Sequence, residues 1–237
     1  METKLSYRLQ IIADQVLPGA AVADIGTDHG AIPLYLVTKG LVPFAVASDR
    51  VKTPVAILRD LVEQHSLQEV ISVRQGEGLT VLSPGEVDTV VITGMGGMTI
   101  LEILEASPQV VRTIKRFVLS PQRDMDKVRR WLSTHALCIV DEILVFEDGY
   151  YYEVFVVEPG KMSLTENEVA FGPILLEKKP PLLVDYYQKK KKDYEHLMLA
   201  LQKEGEFTPA AKARWEQLKN HIKQIDEVIL CPSYSKM

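Results

Sequence analysis

From Ala20 to Glu158 short β-branched runs alternate with amphipathic helical stretches, the rhythm of an open, mostly parallel α/β sheet. Strands are expected near 20–25, 44–48, 70–74, 88–93 and 117–120. Between them AIPLYLVTKG, VKTPVAILRDLVEQHSL, MTILEILEAS and DMDKVRRWLSTHA carry apolar residues at helical spacing and read as crossover helices. Pro33 and Pro54 fall in first turns, where a missing N–H matters least. The alternation ends with CIVDEILVFED and YYYEVFVVEP, two strand-like runs joined at Asp148-Gly149, a dipeptide that favours a tight hairpin turn.

After Pro159-Gly160 no further strand pattern occurs, which divides the chain into an α/β domain over residues 1–160 and a helical domain over 161–237. In the tail Leu183, Tyr187, Lys190, Tyr194, Leu197 and Leu201 keep one phase, and Trp215, Leu218, Ile222, Ile225 and Ile229 keep another, as two coiled-coil seams would. Gly205 and Pro209 bound the connection, so an antiparallel helical hairpin is expected. A length of 237 residues suffices for both domains. The net charge of −5 conceals an asymmetry, because residues 163–237 hold 12 basic and 11 acidic side chains and the rest of the chain is acidic. A local basic face can therefore still meet phosphates. No apolar run approaches the ~18 residues of a membrane span, the N-terminal stretch lacks an export signal, and Cys138 and Cys231 show no metal-ligand spacing. A cytoplasmic protein with reduced thiols, no membrane and no metal is expected.

The segment VADIGTDHGAIP, residues 22–33, lies between the first strand and the first crossover helix, where a glycine-bearing turn lets a cofactor approach the backbone. It offers Asp24, Gly26, Thr27, Asp28, His29 and Gly30. Asp49, with Arg50 beside it, follows the second strand, 25 residues after Asp24, the place for a carboxylate that takes both ribose hydroxyls. Glu77 and Gly78, in GEGL after the third strand, could sit beside a cofactor adenine, and Gly94-Met95-Gly96-Gly97 follows the fourth. A nicotinamide domain would prefer Gly-x-Gly-x-x-Gly with pyrophosphate on the helix N-terminus. Asp28 would set a negative charge in that region, which favours the sulfonium cofactor S-adenosylmethionine over NAD. Any one of these residues alone could be an ordinary loop residue.

A parallel sheet closed by an antiparallel hairpin resembles the seven-stranded, Rossmann-like methyltransferase fold. The set Leu5-Ser6-x-Arg8-Leu9, Asp24-Ile25-Gly26-Thr27-Asp28-His29-Gly30-x-x-Pro33, Gly94-Met95-Gly96-Gly97, Ser120-Pro121-Gln122 and Tyr151-Tyr152-Glu153 resembles the bacterial tRNA adenine-22 N1-methyltransferase family, TrmK. That resemblance covers nearly the whole chain. It implies an S-adenosylmethionine-binding catalytic domain, a C-terminal coiled-coil domain that helps to hold tRNA, and 1-methyladenosine at position 22 as product. GEGL departs from the family pattern by carrying Glu77 in place of Asp.

The chain has no Asn/Asp-Pro-Pro-aromatic series of the kind that amino-group methyltransferases often carry after the fourth strand. Adenine N1 already owns an in-plane lone pair, so its methylation needs positioning, water exclusion and stabilisation of a cationic product. Asp28 is the first candidate for that electrostatic role and His29 the second, against the alternative that both only shape the turn. Arg8, Arg123, Lys127, Arg129, Arg130 and the run Lys189, Lys190, Lys191, Lys192 are candidate RNA contacts, each of which could equally be solvated surface. Tyrosines 150–152 are expected to pack in the core rather than to stack on bases. Two other readings stay open, a small-molecule methyltransferase that needs no basic tail and a noncatalytic module that binds S-adenosylmethionine or RNA.

Overall fold

A computed structural model describes residues 4–27, 29–203 and 208–229. They fall into two compact units, Met1–Ile174 and Leu175–Met237. The sequence pattern alone set the division at residue 160, fourteen residues earlier.

The first unit is built on one seven-stranded sheet of order β3-β2-β1-β4-β5-β7-β6. Its strands are β1 (Val22–Ile25), β2 (Ala45–Asp49), β3 (Ile71–Gln75), β4 (Thr89–Thr93), β5 (Arg116–Ser120), β6 (Leu137–Glu147) and β7 (Tyr150–Pro159). The first five pair in parallel, and β7 runs antiparallel to both β5 and β6. Helices α1 (Tyr7–Ala13), α2 (Ala31–Thr38) and α3 (Lys52–Gln64) precede β4 in the chain; α4 (Gly97–Glu105), α5 (Pro108–Val111), α6 (Met125–Thr134) and α7 (Glu166–Phe171) follow it. Because both faces of the sheet are covered, the central strands read as unbroken apolar runs, with Val90 and Ile92 in one core cluster and Val91 in the other. The β6–β7 turn places Asp148 at φ 51° and Gly149 at φ 83°, the positive values that a two-residue hairpin turn demands.

The 161–174 segment holds the element that periodicity misses. Helix α7 is only six residues long, too short for a repeat, but it opens with a capping box in which Thr165 and Glu168 satisfy each other's backbone amides. The segment is fastened by a buried charge cluster. Arg129 of α6 is fully buried and pairs with Glu142 of β6 at 2.8 Å and with Glu153 of β7. Its guanidinium also reaches the Val169 carbonyl, while Glu142 accepts from the Ile174 amide at 2.9 Å. A Cβ at Gly172 would lie 2.6 Å from a Glu142 oxygen, so only glycine lets the chain pass this close.

In the second unit α8 (Pro173–Lys178), which begins in the first, leads to α9 (Leu182–Lys203) and α10 (Pro209–Val228). Lys191 bonds Asp226 at 2.6 Å and Tyr194 lies against His221, so residue numbers rise on one helix as they fall on the other and the pair is antiparallel. Leu183, Tyr187, Leu218, Ile225 and Ile229 are buried as the seam requires. Leu197 departs from it, at 40% exposed. The Gly205 connection and Cys231 lie outside the described residues.

Candidate cofactor and methyl-transfer site

The candidate cofactor residues gather at one edge of the sheet because parallel strands all deliver their C-terminal loops there. Asp24, the penultimate residue of β1, is a buried carboxyl, 5% exposed. Burial pushes its pKa up to about 6, against the opposing pull of a hydrogen bond from Thr27. The following turn is anchored to β2, since the Gly26 and Thr27 amides donate to the Ser48 carbonyl at 2.8 and 3.0 Å. Thr27 Oγ1 then accepts from the Gly30 amide at 3.0 Å. Gly30 caps α2 at φ 64°, where a Cβ would meet Leu58 at 2.3 Å. His29 is exposed beside it, and Asp28 lies outside the described residues.

On the neighbouring strand Asp49 is half-buried and its Oδ1 accepts from the Val51 amide at 2.7 Å, which fixes the carboxylate at the strand end. Arg50 is exposed, and its carbonyl accepts from Gln75. The Gly76 amide donates to the Asp49 carbonyl at 3.1 Å, bringing the GEGL turn alongside. There Glu77 is exposed and Gly78 turns at φ 53° against Ile103.

The Gly94–Gly97 segment joins the β1 turn to the loop after β5. Met95 covers Gly26, where a Cβ would fall 1.9 Å from the methionine methyl. Its carbonyl accepts from the Gln122 amide at 2.8 Å, and the Gly97 amide donates to the Arg123 carbonyl at 2.9 Å. Arg123 lies against Gly96, whose Cβ would come 2.8 Å from its Nε. Gly94 turns at φ 76°, and among the described residues nothing lies within 4 Å of a Cβ built there. Met95 and Arg123 thus act across loops, a relation that spacing along the chain does not reveal.

The candidate RNA residues differ in their surroundings. Arg129 is not an RNA contact: it is fully buried between two carboxylates, out of reach of phosphate. Arg8 pairs with Glu147 and lies over the Tyr152 ring at 4.6 Å, Lys127 pairs with Asp124 at 2.8 Å, and Arg130 makes a two-pronged pair with Glu166. Arg123 keeps 79% of its side chain exposed. In the lysine run Lys190 lies over Tyr186 and Lys191 is held by Asp226, whereas Lys189 and Lys192 are exposed. Among the tyrosines expected in the core, Tyr150 is 64% exposed.

Among the described residues no group of three or more His, Cys, Asp or Glu could hold a metal ion, and no helix is long and apolar enough to cross a membrane.

A sequence model for the family described as TrmK, tRNA (adenine(22)-N(1))-methyltransferase, matches residues 22–227. The chain belongs to this family. It is 32% identical over 234 residues to the tRNA (adenine(22)-N(1))-methyltransferase of Bacillus subtilis strain 168, covering 96% of this chain and 98% of that one. The structure is similar to that of Streptococcus pneumoniae Sp1610, a protein described as a putative tRNA (m1A22) methyltransferase and solved with S-adenosyl-L-methionine. The TM-score is 0.85 at 34% identity, over 95% of this chain and 100% of that one. Mycoplasma capricolum TrmK, solved with S-adenosyl-homocysteine, gives 0.80 at 27% identity over 94% and 96%.

Proposed function

We infer that this protein is an S-adenosylmethionine-dependent tRNA methyltransferase that forms 1-methyladenosine at position 22 of bacterial tRNA. The observation that carries this reading is the match to a curated enzyme of that activity across nearly the full length of both chains. The edge of the sheet suits the cofactor: a buried carboxyl at Asp24 and a half-buried one at Asp49 are chemically matched to a cationic methionine moiety and a ribose diol. The cofactor supplies the methyl group. We propose that Asp24, Gly26, Thr27 and Gly30 line its methionine end, Asp49 and Arg50 its ribose, and Glu77 and Gly78 its adenine. Gly94, Met95 and Gly96 then leave room for the target base.

Adenine N1 attacks in line with its own lone pair, so the chain's task is to hold the base, exclude water and balance the positive charge that develops on the ring. We assign the last role to Asp28, with His29 as the alternative. A base-paired adenine hides N1, so the nucleotide must be extruded at a cost of a few kcal/mol that tRNA contacts have to supply. We propose that the helical second unit provides part of that binding, with exposed Arg123 at the mouth of the site and Lys189 and Lys192 on α9. A cytoplasmic location fits this substrate. Incubation with unmodified bacterial tRNA and labelled S-adenosylmethionine, followed by nucleoside analysis, tests the reading: 1-methyladenosine at position 22 is expected, and label in a small molecule or none at all would overturn it.

A further inference from the structure

The β6–β7 hairpin carries an aromatic surface that neither the core nor the cofactor loops use. Leu119 of β5 is level with Phe155 of β7, five residues after Tyr150, so the hairpin end projects beyond the C-terminal edge of the parallel strands. At ~3.3 Å per residue that is about 16 Å past Leu119. It projects on the edge where the Asp24, Asp49 and Gly94 loops lie, because β5 ends there too. Tyr150 at the tip is 64% exposed, and Tyr7, the first residue of α1, is 66% exposed.

Glu147 ties together the two segments that carry these tyrosines. Glu147 is the register partner of Tyr150, and it accepts from the Arg8 amide at 2.9 Å and from the Ser6 hydroxyl at 3.2 Å, on either side of Tyr7. Arg8 Nε lies 3.7 Å from the same carboxylate, and its guanidinium covers the inner Tyr152 ring at 4.6 Å. Arg8 and Glu147 are therefore paired with each other, while the two outermost rings are largely exposed. Such a surface suits the flat faces of unstacked bases rather than phosphates.

We propose that Tyr7 and Tyr150 form a stacking platform for tRNA nucleotides next to the extruded adenine. The proposal rests on the methyltransferase reading, since extrusion leaves neighbouring bases without their stacking partners. Each ring would replace part of that lost stacking and so hold the opened conformation.

The test is steady-state methylation and direct tRNA binding, at several salt concentrations, for Tyr7→Ala, Tyr150→Ala, the double variant and the two phenylalanine variants. Base–aromatic stacking predicts that each alanine variant raises the tRNA KM and Kd by roughly tenfold, with the double variant more affected. Phenylalanine keeps the π-face and should restore wild-type values. Cofactor affinity and thermal stability should be unchanged in all five, and so should the slope of affinity against salt, because no phosphate contact is removed. Alanine variants with wild-type tRNA KM and Kd would overturn the platform while leaving the methyltransferase reading intact. A flattened salt slope, or loss in the phenylalanine variants equal to that in alanine, would overturn stacking as its basis. Absence of methylation by the wild-type protein would remove the methyltransferase reading itself.

Discussion

Asp24 is a buried carboxyl at the proposed cofactor site. Its pKa rises from 3.8 to about 6 because burial penalises the charged form. Between these values the folded state holds a proton that the unfolded chain has released, so stability falls as pH rises through this window. At ~1.4 kcal/mol for each pH unit of that window, the penalty is on the order of 3 kcal/mol above pH 7. Asp24→Asn removes the ionisation and is expected to raise the melting temperature at pH 7.5, while cofactor affinity falls at least tenfold. Calorimetry and thermal melts in parallel check both. In the wild type, cofactor affinity should strengthen as pH rises from 5 to 7 and then level off. Asp49→Ala is the companion test: half-buried and ordered by the Val51 amide, it should weaken the cofactor strongly and leave the fold intact. At position 28, asparagine retains a hydrogen-bond acceptor but cannot balance positive charge. Asp28→Asn is therefore expected to bind cofactor and tRNA almost normally and lower the single-turnover rate by roughly 10²-fold. Near wild-type turnover would pass the role to His29.

At the scale of elements, α6 carries two adjacent arginines of opposite kind. Arg129 is fully buried between Glu142 and Glu153, and Arg130 pairs with Glu166 at the surface. Removing one partner of a buried cluster strands the others, at a cost of about 3–5 kcal/mol. Arg129→Met should therefore lower the unfolding free energy by that amount in denaturant titration, whereas Arg130→Ala should change it little. The sequence made the strands and the four crossover helices legible, because β-branched runs and helical spacing are local signals. It did not separate Arg129 from Arg130, since both sit in DKVRRW and only the amphipathic phase that buries Val128 and Leu132 distinguishes them. Glu142 and Glu153, set among inward-facing apolar positions of two strands, were the available signal: a carboxylate there requires a buried cation. The capping pattern Thr165-x-x-Glu168 likewise marked α7, although no apolar period did. Within the site, the order of loops was readable from strand ends, but the crossing of Met95 over Gly26 and of Arg123 over Gly96 depends on tertiary structure.

For the whole molecule, the position of the division determines what a truncation removes. A chain ending at Lys161 loses the Val169 carbonyl and Ile174 amide that complete the buried charge cluster, whereas one ending at Ile174 keeps them. The longer truncation product should melt near the intact protein and bind cofactor, yet fail to methylate tRNA; the shorter should be less stable. Turnover of tRNA by the 1–174 chain would rule out a required role for the second unit. Within that unit the four lysines of the 189–192 run are unequal. Lys191 is committed to Asp226 on α10 and Lys190 lies over Tyr186 within α9, so the first braces the hairpin and the second its own helix. Lys189 and Lys192 are exposed, and we propose that they neutralise phosphates. Each phosphate contact contributes about 0.7–0.9 to the slope of log affinity against log salt. Replacing Lys189 and Lys192 together with glutamine is expected to reduce that slope by up to about two with the melting temperature held, whereas glutamine at Lys190 and Lys191 should lower the melting temperature and change the slope less. Equal slopes for the two pairs would show that the lysine run meets tRNA as a diffuse charge, or not at all.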